Sequence, residues 1–197
     1  IRCLNADYNA IAERSRRLAA VLESGNEVRV TSPAGTDIRL WRGDRKAIPN
    51  TGLYHNAGEG GNLPAGETYF APLEGSAQGV VVFEAAVAGI GKIKKPIRLV
   101  VQNGLAVEIT GSDEAQKLND IINPLGAAGR NIAELGIGTN DQAKITGVIL
   151  EDEKVMGTVH LALGDNLSMG GTVAVPSHLD GLILKPTVYL DGQVIME

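Results

Sequence analysis

The hydrophobic pattern begins with a helical period and then turns to strict alternation. Apolar and small residues spaced by three and four predict an amphipathic helix that ends before Gly25, with its inner positions at Tyr8, Ile11, Ser15, Leu18 and Leu22. Period-two alternation then predicts a hairpin, with Val28 and Val30 in one strand and Ile38 and Leu40 in the next.

The rest of the pattern predicts many short strands and one further helix. Asn103-Gly104 stands between two apolar runs and is a strong signal for a tight hairpin. Ser112 opens a second helix that Pro124 ends, and residues 50–64, rich in Gly, Asn and Pro, are predicted to form a loop. Other strands are expected at residues 79–88, 132–137, 145–150, 158–163, 181–184, 187–190 and 193–196. We therefore predict an α+β fold, mostly an antiparallel and strongly curved β-sheet with two or three helices.

Composition narrows the possible partners. The 197 residues include 18 basic and 23 acidic side chains, a net charge of −5, which argues against a nucleic-acid partner. The longest apolar stretch falls short of the roughly 20 residues that span a bilayer, so we expect no membrane association and a cytoplasmic location. Cys3 is the only cysteine, which excludes an intrachain disulfide and a thiolate cluster. Any metal must therefore be held by His, Asp and Glu.

The chain is expected to be one metal-binding domain over residues 1–197. It does not begin with Met, enters a helical pattern almost at once, and ends within a strand-like segment. We expect it to be the C-terminal part of a longer chain whose N-terminal domain is absent.

Two of the three histidines stand in settings that suit a metal. His178 and Asp180 form a His-x-Asp pair, and residues two apart in a strand point to the same face. The alternative is that Asp180 only orients His178 or caps a turn. His160 lies between apolar neighbours, which fits either a hydrogen-bonded core histidine or a ligand.

Two glutamates complete the candidate set. Glu134 lies in an apolar strand and must face solvent or be paired, because an uncompensated buried charge costs several kcal/mol. Glu67 follows a Pro-Ala-Gly turn and would, taken alone, be a surface acid. Two histidines and three carboxylates without cysteine are the ligand types of a two-metal hydrolytic site with zinc, cobalt or manganese. Motifs for a phosphate loop, a zincin and a serine hydrolase are all missing.

Four short stretches resemble the metal-binding domain of the aminopeptidase T and aminopeptidase S family of metallopeptidases. They are Asn62-Leu-Pro-Ala-Gly-Glu67 with Ala71-Pro72 after it, Ala133-Glu-Leu-Gly136, His160-Leu-Ala-Leu-Gly164 and His178-Leu-Asp180. The resemblance implies an aminopeptidase that removes N-terminal residues from peptides, and it implies a homodimer. The family tyrosine that follows the His-x-Ala-x-Gly segment is missing from residues 165–171.

The same resemblance implies a dinuclear site. Its ligands would be Glu67, Glu134, His160, His178 and Asp180, and a glutamate such as Glu134 or a nearby tyrosine would assist proton transfer. The superfamily also contains dihydroxypyridine-cleaving dioxygenases, which implies an alternative: one Fe(II) held by His160, His178 and Asp180, with Glu67 and Glu134 beside it and a small molecule as substrate. A third alternative is a non-catalytic homologue. The aminopeptidase is the leading hypothesis.

Overall fold

Two longer helices form where the sequence predicts them. A computed structural model describes residues 2–197. Helix α1 spans Tyr8–Glu23, and the Asp7 carboxylate caps it by accepting hydrogen bonds from the N–H groups of Asn9 and Ala10. Helix α2 spans Asp113–Ile122. Single turns of helix follow at α3 (Gly126–Gly129) and α4 (Ile149–Asp152), and 3-10 turns occur at Arg2–Asn5, Asn123–Leu125 and Leu167–Met169.

The strands pair antiparallel in two seven-stranded sheets, which confirms the predicted α+β class. In chain order they are β1 (Glu27–Thr31), β2 (Asp37–Trp41), β3 (Ile48–Asn50), β4 (Glu67–Phe70), β5 (Gln78–Phe83), β6 (Ala86–Val87), β7 (Gly91–Lys92), β8 (Ile97–Gln102), β9 (Leu105–Thr110), β10 (Ile132–Gly138), β11 (Val159–Gly164), β12 (His178–Ile183), β13 (Thr187–Leu190) and β14 (Gln193–Met196). The first sheet has the order β14-β13-β1-β2-β5-β8-β9 and the second β3-β4-β10-β11-β12-β6-β7.

Both predicted hairpins are confirmed. Val28 pairs with Leu40 and Val30 with Ile38, so the alternating apolar residues of β1 and β2 share the buried face. Asn103 and Gly104 join β8 to β9 with positive φ angles of 49° and 75°, a conformation that these two residue types adopt at low cost.

The prediction of a strand at residues 145–150 is wrong. The buried carboxylate of Asp152 accepts hydrogen bonds from the backbone N–H groups of Thr146 and Gly147, which bends the chain into a turn ahead of α4. Val148 and Leu150 are exposed, so their apolar character reflects no buried strand face.

One hydrophobic core contains side chains from both sheets and both longer helices, among them Leu22, Phe83, Leu99, Leu118 and Leu161. Helix α1 packs on β3 and β4, and α2 packs on β8 and β9. The predicted glycine-rich loop is confirmed over residues 51–66, mostly on the surface. Within residues 2–197, no helix has the length and apolar character needed to cross a bilayer.

Candidate metal centre

The five predicted ligands come from four neighbouring strands of the second sheet. Glu67 begins β4, Glu134 lies in β10, His160 in β11, and His178 and Asp180 at the start of β12. These strands are adjacent in the sheet in that order. Residues that are widely separated in the sequence are thus brought to one place by strand pairing.

Small residues lie between the ligands. Ala162 pairs with Glu134 on one side and with Asp180 on the other, so three residues in a row share one face of the sheet. Gly136 pairs with His160, and a Cβ at Gly136 would lie 2.0 Å from Nε2 of that imidazole. The absence of a side chain at Gly136 therefore makes the space in which the His160 ring lies.

The Glu134 carboxylate lies between the two imidazoles. Its Oε1 is 3.2 Å from Nε2 of His160, and its Oε2 is 3.0 Å from Nε2 of His178. Oδ1 of Asp180 is 3.5 Å from Nε2 of His178, and Oε2 of Glu67 is 3.4 Å from Nε2 of His160. The structure therefore brings all five predicted residues into one cluster.

Two sets of donors are close enough to hold an ion, and Glu134 belongs to both. Glu67, Glu134 and His160 form the first set, and Glu134, His178 and Asp180 the second; within each, the donor atoms lie within 4.8 Å of one another. The trio expected for an oxygenase, His160 with His178 and Asp180, does not form such a set among the described residues, because Glu134 lies between the imidazoles.

His178 is oriented by a neighbouring loop. Its Nδ1 donates a hydrogen bond to the backbone carbonyl of Asp165 at 2.8 Å, which leaves Nε2 directed at Glu134 and Asp180. That loop is held in turn by Glu74.

Glu74 fixes the segment that follows Asp165. Its Oε1 accepts hydrogen bonds from Nδ2 of Asn166 and N–H of Thr172, at 2.9 and 2.8 Å, and its Oε2 accepts one from Arg45 at 2.6 Å. Burial would raise the pKa of Glu74, but these donors outweigh it and lower the pKa to about 2. The carboxylate thus links the loop between β4 and β5 to the loop that orients His178.

This arrangement predicts an acid-sensitive loop. Because the folded-state pKa is depressed from 4.5 to about 2, the stabilisation by Glu74 is present above 4.5 and is lost as the pH falls towards 2. Glu74→Gln keeps the shape but has no group to titrate. We expect the melting temperature of the wild type to fall more steeply than that of Glu74→Gln between these pH values, measured by differential scanning fluorimetry. Parallel curves would contradict this role.

Sequence reasoning missed a second group of residues at the same site. Nζ of Lys154 is 2.7 Å from Oε1 of Glu67 and also contacts Oε1 of Glu153. Nδ2 of Asn50 donates to the same Oε1 of Glu67 at 2.9 Å. The side chain of Lys154 is only 1% exposed. The only signal in the sequence is the charged run Glu151-Asp-Glu-Lys154, which is typical of a solvated surface.

The cluster carries an excess of negative charge. Burial opposes a charge on either histidine, but the surrounding carboxylates outweigh it and raise the pKa of His160 to about 9 and that of His178 to about 11. Burial likewise opposes a charge on Glu134, yet the contacts with both imidazoles hold its pKa below the usual value. Burial raises the pKa of Glu153 to about 7, against the opposing effect of Lys154. The site thus favours additional positive charge.

These observations fit a divalent metal ion. Imidazole and carboxylate are the ligands that zinc, manganese and iron take in proteins. Oε2 of Glu67 is buried and has no hydrogen-bond partner among the described residues, and Gly136 leaves room for the ring of His160. A divalent ion would supply the positive charge that the raised pKa values of the histidines indicate.

The cluster forms the floor of a cavity of about 640 Å³. The rings of Tyr54 and Tyr69 form part of its wall. Ser168 and Met169, from the loop that Glu74 holds, also line it. Burial and the nearby carboxylates raise the pKa of Tyr69 to about 12, so its phenol remains a neutral hydrogen-bond donor. The cavity can therefore admit a small molecule to the candidate metal site.

Comparison with known proteins finds a matching family and a curated relative. A model of the family described as NicX, 2,5-dihydroxypyridine 5,6-dioxygenase, matches residues 5–197. The 2,5-dihydroxypyridine 5,6-dioxygenase of Pseudomonas putida KT2440 is 26% identical over 93% of this chain and 57% of its own length. The chain thus spans a little more than half of that relative.

Solved structures share the fold. The structure of 2,5-dihydroxypyridine dioxygenase from Pseudomonas putida KT2440 matches with a TM-score of 0.84 and 24% identity, over 94% of this chain and 58% of that one. AmpT from Thermus thermophilus matches with a TM-score of 0.71 and 19% identity, over 97% of this chain and 56% of that one. The likeness to AmpT is one of fold.

These matches correct the leading hypothesis. The prediction of an aminopeptidase, a hydrolase acting on peptides, is wrong, because the family match and the curated relative are both dioxygenases. The relative is an enzyme, and the alternative reading of the sequence agrees with it. The homodimer and the cytoplasmic location stay predictions. With residues 5–197 matched, the chain belongs to the NicX family of 2,5-dihydroxypyridine 5,6-dioxygenases.

Proposed function

We propose that this protein takes part in an Fe(II)-dependent dioxygenase reaction that opens the ring of a dihydroxylated pyridine. The observation that carries the proposal is the cluster of two imidazoles and two carboxylates, Glu134 and Asp180, on the floor of a cavity, in a chain of the dioxygenase family. Imidazole and carboxylate are the ligand types of non-haem iron oxygenases, which leave positions open for substrate and O₂.

Glu134, His178 and Asp180, whose donor atoms lie within 4.8 Å of one another, would hold the iron, and His160 contacts Glu134 from its other side. The iron would supply the redox chemistry for a reaction between O₂ and an aromatic ring. The hydrogen bond from His178 to the carbonyl of Asp165 keeps Nε2 facing the cluster. The protein's part is to orient these donors and to shield them in a largely buried site.

Glu134 also faces the cavity. Its contacts with both histidines hold its pKa below the usual value, so the carboxylate that lines the cavity stays ionised. A hydroxyl group of a bound ring could donate a hydrogen bond to this carboxylate. The phenol of Tyr69, also in the wall, can donate a hydrogen bond to a ring substituent.

The test is oxygen consumption. We expect the protein, loaded with Fe(II) without air, to consume O₂ and 2,5-dihydroxypyridine together when air is admitted, as followed with an oxygen electrode and by ultraviolet absorbance. His178→Ala and Asp180→Asn should each lower the rate by at least about 100-fold, because they remove proposed ligands.

His55→Ala is the matched control. His55 is the third histidine of the chain and lies exposed on the glycine-rich loop, outside the cluster. We expect its variant to keep the wild-type rate. Iron binding without any consumption of O₂ would overturn the proposed activity and favour a non-catalytic homologue.

A further inference from the structure

Lys154 is the feature of the site that the proposed function leaves unused. Its side chain is 1% exposed, and its ammonium contacts two carboxylates, Oε1 of Glu67 at 2.7 Å and Oε1 of Glu153. A buried lysine normally needs such pairing to remain charged. The two ion pairs favour its charged form.

We propose that the ammonium of Lys154 serves as the second cation of this cluster, so that the chain binds one divalent metal ion and not two. The inference rests on the proposed metal site and concerns the number of ions, not the reaction. It names Lys154 as the residue that decides that number.

The donor geometry alone would admit two ions. The sets that contain Glu67 with His160 and Asp180 with His178 share Glu134, as the two halves of a dinuclear site share a bridging carboxylate. Some further feature of the chain must therefore decide between one ion and two.

The charge of Lys154 supplies that feature through its location. Four carboxylates surround the site: Glu67, Glu134, Glu153 and Asp180. Together with the ammonium, one divalent ion leaves a net charge of −1 and two leave +1, so the net charge alone does not decide the number. The ammonium lies beside Glu67, however, and in a medium of low dielectric constant it strongly repels a second ion bound there.

The contacts of Glu67 with Lys154 and Asn50 also favour a single ion. Oε1 of Glu67 already accepts from Lys154 and from Asn50, so a second ion would have to bind the other oxygen of the same carboxylate, close to the ammonium. Glu134 and Asp180 have no lysine or arginine in contact among the described ion pairs. The single ion is therefore favoured on their side of the cluster.

The test counts Mn²⁺ ions bound per chain. Equilibrium dialysis with inductively coupled plasma mass spectrometry should find about one equivalent in the wild type and about two in Lys154→Met, because the variant has lost its own cation. Electron paramagnetic resonance adds an independent readout, since an isolated Mn²⁺ gives a hyperfine pattern that an exchange-coupled pair lacks. Lys154→Arg keeps the charge and should stay at about one.

A double variant guards against misfolding. Lys154→Gln combined with Glu153→Gln removes one charge of each sign, so the net charge of the cluster stays that of the wild type, and we again expect about two equivalents. Two equivalents in the wild type, or one in the double variant, would overturn the role of Lys154. A wild type that binds no Mn²⁺ would instead overturn the proposed metal site and with it the proposed function.

Discussion

Gly136→Ala should lower metal affinity by about 10- to 100-fold while the fold is retained. The added Cβ would lie 2.0 Å from Nε2 and 2.2 Å from Cε1 of His160, far inside van der Waals contact. Strand β10 is paired on both sides, with β4 and β11, so its backbone has little freedom to move away. The imidazole must therefore leave its place, and Glu134 loses the contact with Nε2 of His160, at 3.2 Å, that helps to orient it. Equilibrium dialysis with Mn²⁺ measures the loss, and circular dichroism checks the fold.

A double-mutant cycle isolates the cause. If the methyl group acts only through the ring of His160, then Gly136→Ala should have almost no further effect on metal affinity in a His160→Ala background. Additive losses would mean that the substitution disturbs the sheet itself. Gly136 has ordinary strand backbone and not a positive φ angle, so alanine adds no backbone strain at this position.

Lys154→Met should lower the free energy of unfolding of the metal-free protein by about 3–5 kcal/mol. Methionine matches the length of the lysine side chain but leaves Glu67 and Glu153 buried without their cation. For a chain of this size, the loss corresponds to a fall in melting temperature of roughly 6–20 °C. Urea denaturation in the presence of a chelator, followed by circular dichroism, measures it.

Lys95→Met is the matched control for this experiment. Lys95 is exposed, and the same substitution there should change the free energy of unfolding by no more than about 0.5 kcal/mol. Adding Glu67→Gln to Lys154→Met should recover part of the loss, because it removes one of the two uncompensated charges. Equal stabilities of Lys154→Met and Lys95→Met would show that the ammonium does not compensate the buried carboxylates.

Local pattern was sufficient for most of the fold. The helix over Tyr8–Glu23, the hairpin of Val28 and Leu40, and the turn at Asn103-Gly104 follow from spacing, caps and turn chemistry that act within a few residues. The strand predicted at 145–150 does not form, because the tertiary structure buries the side chain of Asp152. There it accepts hydrogen bonds from the backbone of the preceding loop.

The residue types in the sequence left the class of reaction ambiguous. Histidine and carboxylate ligands serve both two-metal hydrolases and mononuclear iron enzymes, so the donor set of His160, His178 and Asp180 did not discriminate between them. The resemblance to the aminopeptidase T family rests on four short stretches between Asn62 and Asp180. Similarity over the whole chain, not the five donors, assigned the protein to the dioxygenases.

By itself, the sequence determined the elements and the types of ligand, since periodicity and donor chemistry are properties of short segments. Only the tertiary structure decided that β4, β10, β11 and β12 are neighbours, and so that Glu134 lies between His160 and His178. Only the tertiary structure placed Lys154 inside the cluster, although a run of charges normally faces solvent. Strand order and the burial of a charge depend on partners far apart in the chain, which local pattern cannot encode.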